Sequence, residues 1–504
     1  MRMNSCLAFC ASIVVVGAVN AGPLAPPPGA VQATGRTQIN KQYIASLPYT
    51  ISQAGSYVLT SNLTGTSGAD GIVIAADDVT IDLAGFSLIG VSGSINGIAV
   101  NNPGPNPYLH NLTIINGAVK NWDSAGVSLS GATNVEVRDI RAYQCSIGIQ
   151  TDFNARIVDC TAESHGSLGI FVGNVSTVTG CSVLFCGGGI STGSTCSISN
   201  CVAESNFGPG IRMLDGCTVL NCTSRNNFTK GNAPGFQCGD KCHFTNCSAS
   251  NNGSNGFDVV NACSATGCTS VQNNGAGFYT FDDFSATNCN ADDNGFIGIY
   301  FNGGNIVNCN ASRNGSIGIA TFLDHANIVN CNAEHNSSVG IRLDAPGTII
   351  HCTASENFLF GIEASTGSDG SLITDCNANK NFGAGITAVA NCRIEGNSST
   401  ANQGDGIIAA DRCTVTQNSC IDNGTNAGGP SSSGIVCNGG GARVDGNHVS
   451  GNDTGISATP AFRNVITRNT AFGNSPNYNL DPANDIGPIG TAATSTSPWA
   501  NISF

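Results

Sequence analysis

Residues 309–341 read CNASRNGSIGIATFLDHANIVNCNAEHNSSVGI, and they contain one pattern twice. Each copy has a Cys-x-Ala triplet, an Asn five residues after the Cys, and a Gly-Ile pair four residues after the Asn. The two copies start at Cys309 and Cys331, which are 22 residues apart. A repeat of this length is too short for a helix plus a strand. It predicts one turn of a β-solenoid, in which each turn stacks on the next.

The Gly-apolar pair of this repeat recurs along most of the chain, usually every 20 to 22 residues. Its glycines are Gly71, Gly97, Gly126, Gly148, Gly169, Gly189, Gly210, Gly235, Gly256, Gly277, Gly298, Gly318, Gly340, Gly361, Gly385, Gly406, Gly434 and Gly455. The series predicts about 18 coils of about 21 residues each. We therefore expect an all-β fold, a single-stranded right-handed parallel β-helix with three sides and a cap at each end.

The Cys-x-Ala triplet forms a second column, and alternation along a strand points its Cys and Ala to the same side. Both residues are small, which suits an interior position. The cysteines of this column are Cys160, Cys181, Cys201, Cys222, Cys247, Cys268, Cys289, Cys309, Cys331, Cys352 and Cys376, and the column continues as Asn397, Asn418, Asn447 and Asn469. We expect packing of free thiols in this column, with scattered disulfides as the alternative.

A third column consists of Asn alone and runs from Asn206 to Asn474. Asn tolerates the left-handed backbone of a tight turn, so we expect these residues at turns. Their amides, stacked about 4.8 Å apart, are expected to hydrogen-bond up and down the column.

Composition supports an all-β chain and excludes some partners. Gly accounts for 65 of 504 residues, and only 10% of residues are charged. The formal charge of −14 repels nucleic acid and anionic lipid, and it disfavours polyanionic sugars unless a cation bridges. We therefore expect no nucleic-acid partner, no membrane span, no cofactor and no metal, and we expect a monomer.

The chain divides into four segments. Residues 1–21 have the charged start, apolar stretch and small-residue cleavage site of a signal peptide, which predicts a secreted, extracellular protein. Residues 22–45 are expected to be a linker and residues 46–475 the β-helix. Residues 476–504 are expected to be a capping tail, and Ile51–Leu63 a cap at the other end.

The Gly-Ile, Cys-x-Ala and Asn columns resemble the right-handed parallel β-helix repeat proteins of the pectate-lyase-like superfamily. The resemblance covers roughly residues 50 to 475. It implies the fold, and it implies a choice among polysaccharide lyases, glycoside hydrolases, epimerases and adhesins. In the enzymes that this chain resembles, the face equivalent to the Gly-Ile strands often carries the active site.

The residue after each Ile should point to solvent, and there the sequence is most varied. Aromatic rings beside carboxylates and amides are typical of a sugar-binding groove. Residues expected to bind substrate are Tyr279, Phe281, Tyr300, Asn302, Phe322, Arg342 and Glu363. Asp258, with Asp282 or Asp283 from the neighbouring coil, is the candidate catalytic set, because a glycosidase needs two carboxyls about 5 to 9.5 Å apart.

Structural explanations compete with each of these assignments. A tyrosine pair also stabilises a sheet, and Arg342 beside Glu363 and Asp344 favours an ion pair over a catalytic base. His325 and His335, with Asp324 and Glu334, offer metal-ligand chemistry, but solvated turns are favoured. We expect an exported rod that binds polysaccharide or serves at a surface. The alternative is a polysaccharide-processing hydrolase or lyase.

Overall fold

A computed structural model describes residues 42–101, 108–228, 233–424, 432–459 and 463–504. Within these ranges the chain is all β, contains no helix and winds into a right-handed parallel β-helix with three sides. Every strand pairs in parallel with the strands of the adjacent coils. The expected fold is confirmed. The residues expected to form the signal peptide, and most of those expected to form the linker, lie outside the described residues.

The first side, here called the Gly-Ile face, contains one strand per coil. Its strands are Tyr49–Ile51, Ile72–Ile74, Ile98–Val100, Ala125–Leu129, Ile147–Thr151, Leu168–Val172, Gly188–Thr192, Ile211–Met213, Phe236–Gln237, Phe257–Asn261, Phe278–Asp282, Ile299–Phe301, Ile319–Thr321, Ile341–Leu343, Ile362–Ala364, Ile386–Ala388, Ile407–Ala409, Ser433–Cys437, Thr454–Ala458 and Tyr478–Leu480. The first and last of them lack the Gly-Ile pair, so the described residues have two more coils than the motif predicts.

The second side, the pre-cysteine face, leads into the Cys column. Its strands are Gln42–Ile44, Gly55–Leu59, Val79–Asp82, Ala155–Val158, Thr177–Thr179, Ser197–Ser199, Thr218–Leu220, His243–Thr245, Ser264–Thr266, Phe284–Thr287, Gly304–Val307, Ala326–Val329, Gly347–Ile350, Leu372–Thr374, Arg393–Glu395, Thr414–Thr416, Arg443–Asp445, Val465–Thr467 and Asp485–Ile486. The longer strands Leu109–Lys120 and Ala132–Tyr143 belong to this face and continue around the corner into the third side.

The third side, the post-cysteine face, begins directly after the Cys column. Its strands are Leu63–Thr64, Ser87–Ile89, Thr161–Glu163, Ser182–Leu184, Val202–Glu204, Thr223–Arg225, Ser248–Ser250, Thr269–Val271, Asn290–Asp292, Asn310–Ser312, Asn332–Glu334, Thr353–Ser355, Asn377–Asn379, Ser398–Thr400, Ser419–Ile421, His448–Ser450, Thr470–Phe472, Ile489–Gly490 and Asn501–Ser503. Short strands separated by sharp corners give the coil its triangular section.

The Asn column is buried and lines the corner between the post-cysteine and Gly-Ile faces. Asn227 donates its side-chain amide to Oδ1 of Asn252 at 2.9 Å, and the same contact recurs from coil to coil. The expected ladder of hydrogen bonds is confirmed. The expected backbone is wrong, because positive φ belongs to the preceding residue, as in Asn226 (φ 53) and Asn251 (φ 53). That residue turns the chain, while the ladder Asn points its amide inward.

The cysteines also line the interior. All 22 cysteines of the described ranges are buried, and none of them forms a disulfide. In the Cys column the cysteine sulfur accepts hydrogen bonds in the way that the side-chain amide oxygen does in the Asn ladder. The backbone N–H of Cys331 donates to Sγ of Cys352 at 3.4 Å, and the N–H of Cys376 donates to Oδ1 of Asn397 at 2.9 Å. Thiol and amide are therefore interchangeable acceptors at this corner.

The ends of the rod continue the repeat. Gln42–Ile44 falls within the range expected to be a linker, yet it pairs with Gly55–Leu59 as a regular strand. Ile51–Leu63 contributes to the first strands rather than forming a separate cap. In the tail, Asn477 accepts the amide of Asn474 at 2.9 Å, so the Asn ladder ends within residues 476–504, and Asn501 accepts the amide of Asn469 at 3.1 Å at the end of the Cys column. No helix in the described ranges is long and apolar enough to cross a membrane.

Candidate functional site

The outer surface of the Gly-Ile face carries one continuous row of side chains. Parallel register places these residues next to one another on successive coils, in the order Gln237, Asp258, Tyr279, Tyr300, Ala320, Arg342 and Glu363. A second row lies two residues further along each strand and contains Phe281, Asn302, Phe322 and Asp344. The two rows form the patch expected to bind substrate, here called the aromatic patch.

Aromatic rings contact one another at the centre of the patch. Tyr279 and Tyr300 are stacked, with ring centroids 4.9 Å apart and an interplanar angle of 12°. Phe281 stands edge-on to Tyr279 at 5.4 Å, and Phe322 lies tilted against Tyr300 at 5.4 Å. Phe281 is 52% exposed and Phe322 is 43% exposed. Because the tyrosine faces are turned to each other, the half-exposed phenylalanines are the rings best able to offer apolar surface to a ligand.

The patch rests on a small apolar cluster outside the solenoid core. Ile297, Ile317 and Val339 each precede the glycine of a Gly-Ile pair, and they pack with Ala320 under Tyr300. All four are buried although they lie on the outer side of the sheet. This cluster fixes the orientation of Tyr300, and the sequence analysis missed it. The apolar residue before the glycine at three successive coils was the available signal.

Asn302 is placed differently from the other expected binding residues. It is only 8% exposed, and its Nδ2 donates to the carbonyl of Phe281 at 2.7 Å. Its Oδ1 is buried without a hydrogen-bond partner. The side chain therefore ties two coils together beneath the phenylalanines, because the chain turns the corner at Gly303 immediately after it.

Charged groups gather at one end of the patch. Nε of Arg342 lies 2.8 Å from Oδ1 of Asp344 and 3.7 Å from Oε2 of Glu363. The Ser365 hydroxyl donates to the same Asp344 carboxylate. The Asp344 side chain is 10% exposed, and its Oδ2 is buried without a partner. The expected ion pair is present, and Asp344 is its main carboxylate.

Two carboxyls of the patch have raised pKa values. Burial raises the pKa of Glu363, and the Asp344 charge adds to the increase, while Arg342 opposes both. Burial alone raises the pKa of Asp258. A carboxyl with a raised pKa at a partly buried site is suited to donate a proton. The two groups lie at opposite ends of the row, so they do not act on one bond.

The structure does not place the candidate catalytic aspartates side by side. Across the sheet Asp258 faces Tyr279, while Asp282 faces Asn261, three residues beyond Asp258. That offset corresponds to about 11 Å between the Cα atoms of Asp258 and Asp282. Asp283 has a φ of 42° and already belongs to the corner. The register therefore does not make Asp258 and Asp282 cross-strand neighbours, and their role as a catalytic pair stays a prediction.

The histidines considered as metal ligands lie at different corners. His325 contacts the adjacent Asp324 at 3.4 Å, and both side chains are largely exposed. His335 instead contacts Glu356 of the next coil at 2.8 Å, and Lys380 completes that group. Across the described ranges, no group of three or more His, Cys, Asp or Glu side chains is arranged to hold a metal ion.

A second charged cluster lies near the far end of the pre-cysteine face, and the sequence analysis missed it. Asp445 is 3% exposed in its side chain and receives Nη2 of Arg443 at 2.7 Å and Nε of Arg468 at 2.6 Å. The Arg468 guanidinium lies over the Trp499 ring, 5.4 Å from its centroid. An arginine 23 residues from its partner in sequence gives no motif, so only the register of the coils brings Arg468 and Asp445 together.

The sequence and the structure were compared with known proteins. A family model described as right handed beta helix region matches residues 265–398. No curated protein sequence matches the chain.

Solved structures with similar folds include three enzymes. A mutant of the periplasmic alginate epimerase is 11% identical over 74% of this chain and 77% of its own, with a TM-score of 0.31. A mutant PL6 family alginate lyase is 9% identical over 92% of this chain and 96% of its own, with a TM-score of 0.31. A pectate lyase is 15% identical over 67% of this chain and 72% of its own, with a TM-score of 0.25.

Proposed function

We propose that the chain is an exported rod that binds polysaccharide across the aromatic patch. The observation that carries this proposal is the half-exposed pair Phe281 and Phe322, held on either side of the stacked Tyr279 and Tyr300. Apolar ring surface beside tyrosine hydroxyls and carboxylates matches a pyranose, which has apolar faces and a rim of hydroxyls. The flat sheet beneath lets several sugar units lie along the rod.

The charge around the patch favours a neutral polysaccharide. Asp258, Asp282 and Asp283 lie at one end, and at the other end Arg342 is shared between Asp344 and Glu363. The one arginine of the patch is thus neutralised by two carboxylates, and the whole chain has a formal charge of −14. Polyuronates and sulfated glycans are repelled by such a surface, whereas neutral glucans, mannans and xylans are not.

Affinity electrophoresis of the full chain against immobilised polysaccharides tests the proposal. We expect retention by at least one neutral polysaccharide and none by pectate or alginate. Phe281→Ala and Phe322→Ala should each weaken retention about tenfold, since an aromatic contact contributes about 1 to 1.5 kcal/mol. Phe382→Ala is the matched control, because Phe382 is 54% exposed and stacks on Phe358 at another corner. Equal losses in all three variants, or no retention of any glycan, would refute the proposal.

A second candidate function is cleavage of the bound polysaccharide. The observation that favours it is Glu363, a partly buried carboxyl with a raised pKa beside Arg342. Incubation with the retained polysaccharide should then release unsaturated or reducing ends. Glu363→Gln should abolish that release, while the phenylalanine rings of the patch still retain the polysaccharide. If Asp258→Asn abolishes release and Glu363→Gln does not, the acid is Asp258. Retention with no new ends identifies a binding protein.

A further inference from the structure

Most thiols of this protein are held by the backbone. In the corner columns the thiols donate to nearby carbonyls, and several sulfurs also accept an N–H from the preceding coil. Cys242, for example, donates to the carbonyl of Leu214 at 3.1 Å, and its own N–H donates to Sγ of Cys263 at 3.3 Å. Side chains of one column therefore run parallel, a geometry that does not suit a disulfide.

Cys238 does not belong to a corner column. It occupies the inward position on the Gly-Ile face that is filled by Met213 in the coil before and by Val259 in the coil after. The residue is 4% exposed. Its sulfur lies 3.8 Å from Sγ of Cys263, a corner thiol of the next coil. The two side chains start from different sides of the triangle, so their sulfurs converge instead of running parallel.

We propose that Cys238 and Cys263 form a disulfide when the chain matures in an oxidising compartment. The S–S bond is about 2.05 Å long, so from the present contact of 3.8 Å the sulfurs need to approach by about 1.8 Å. Cys242 is a third sulfur near both; its thiol is directed to the Leu214 carbonyl, and the Cys263 thiol is directed to the Gly239 carbonyl. Cys263 is the partner whose sulfur contacts that of Cys238, at 3.8 Å.

The reaction is a thiol–disulfide exchange with an external disulfide, from an oxidoreductase or a small molecule. One cysteine thiolate attacks the oxidant and forms a mixed disulfide, and the second thiolate then attacks that cysteine sulfur. The oxidant leaves as two thiols, which carry the two electrons and take up the two protons that the cysteines give up. Because both cysteines are buried in the folded rod, the exchange precedes the stacking of these two coils.

The bond would join the first two coils of the aromatic patch. Cys238 follows Gln237 in the first of them, and Cys263 lies in the next coil, that of Asp258. The two cysteines are 25 residues apart, so the link closes one complete coil. Local opening of that coil would then be suppressed at the end of the patch that carries Asp258.

Peptide mapping under non-reducing conditions tests the proposal. Full-length protein exported by an oxidising host is denatured with N-ethylmaleimide and cleaved with trypsin and Asp-N. These cuts place Cys238 in residues 231–239, Cys242 in another fragment, and Cys263 in residues 258–281. We expect the first and last fragments to be linked, with a mass two hydrogens below their sum and fragmentation that assigns the bond to Cys263 rather than Cys268.

Cys238→Ser should leave Cys263 alkylated, and Cys263→Ser should leave Cys238 alkylated. Cys420→Ser, which removes a buried thiol elsewhere, should leave the link intact. The peptide map of the wild-type protein tests for the Cys238–Cys263 bond even if a variant fails to fold. Alkylation of Cys238 in most molecules, or a link from Cys238 to any other cysteine, would overturn the proposal.

Discussion

At the scale of one residue, Asn336 shows how a single amide connects three coils. Its Nδ2 donates to the carbonyl of Ala311 at 3.0 Å and to Oδ1 of Asn357 at 3.0 Å. Its Oδ1 accepts the backbone N–H and the amide of Asn314, both at 3.1 Å. The residue is 1% exposed, so water cannot replace any of these partners.

Asn336→Ala removes the acceptor for two buried donors and the donor for two buried acceptors. We expect a loss of about 2 to 4 kcal/mol, larger than for an ordinary buried hydrogen bond, because the orphaned groups stay dry. Chemical denaturation, with hydrogen exchange to locate the opening, measures the loss. The exposed Asn327→Ala is the control and should change stability by less than about 0.5 kcal/mol. Similar losses for both variants would contradict the role given to the ladder.

Asp445 gives the rod a pH-dependent contact. The hydrogen bond from Arg468 lowers the pKa of Asp445 to about 2, with Arg443 and Thr467 helping and burial opposing. Its pKa in the unfolded chain is about 3.9, so the contact is fully present above that pH and is lost as the pH falls towards 2. Asp445→Asn should therefore cost about 1 to 2 kcal/mol at neutral pH, after allowance for solvent screening of the exposed arginines.

Unfolding curves of Asp445→Asn and the wild type at several pH values test this contact. The difference in stability should shrink between about pH 4 and pH 2. Asp369→Asn, which changes an exposed corner carboxyl, should follow the wild type throughout. A difference that is constant with pH would show that the substitution acts through packing and not through charge.

At the scale of the strand, the glycine of the Gly-Ile pair is required by close packing. A Cβ on Gly340 would lie 2.6 Å from Nδ2 of Asn357, 2.6 Å from the carbonyl of Gly361 and 3.0 Å from Cβ of Ala354. The glycine therefore allows the Gly-Ile strand to approach the Asn ladder and the Cys-x-Ala column of the next coil. This close packing explains why the Gly-Ile, Asn and Cys-x-Ala motifs recur together.

Gly340→Ala should destabilise the protein by about 2 kcal/mol or more, since two of the three clashes involve backbone or a bonded ladder amide. Gly166→Ala is the control, because a Cβ there meets nothing within 4 Å and its φ is not positive. That variant should be neutral within about 0.5 kcal/mol. Thermal unfolding compares the two, and equal midpoints would contradict the packing explanation.

The periodicity of the sequence predicts the structural features that recur in every coil, but it predicts few of the contacts that occur only once. The inward columns, the outward row from Asp258 to Glu363 and the ladder bonds follow from period-two alternation and a fixed coil length. Asn302 was expected on the surface, but it turns inward because the corner begins at the next residue. The spacing of Asp258 and Asp282 depends on an offset of three residues within a strand, which alternation alone does not convert into a distance. The contact of Arg468 with Asp445 depends on the lengths of individual coils and on side-chain rotamers, so the periodicity of the sequence does not predict it.

At the scale of the whole molecule, each coil contacts only the coils before and after it, so the ends control local stability. The segment after residue 480 covers the last coil, where Asn501–Ser503 pairs with Thr470–Phe472. A chain ending at residue 480 should show faster hydrogen exchange in its last two or three coils and unchanged exchange before Gly340. Mass spectrometry of exchanged peptides gives the profile. A uniform change along the rod would show that it unfolds as one cooperative unit.

The Asn ladder has a further consequence, which follows from its direction. From Asn206 to Asn474 every Oδ1 accepts from the N-terminal side, while each Nδ2 donates one N–H to the Oδ1 on its C-terminal side and the other to a carbonyl of the preceding coil. Aligned amide dipoles add, as they do along a helix. The column therefore makes the rod electrically polar along its axis, with the positive pole at the C-terminal end. There Nδ2 of Asn477 donates to the carbonyl of Phe504 at 2.8 Å, so a carbonyl oxygen places a partial negative charge on that pole.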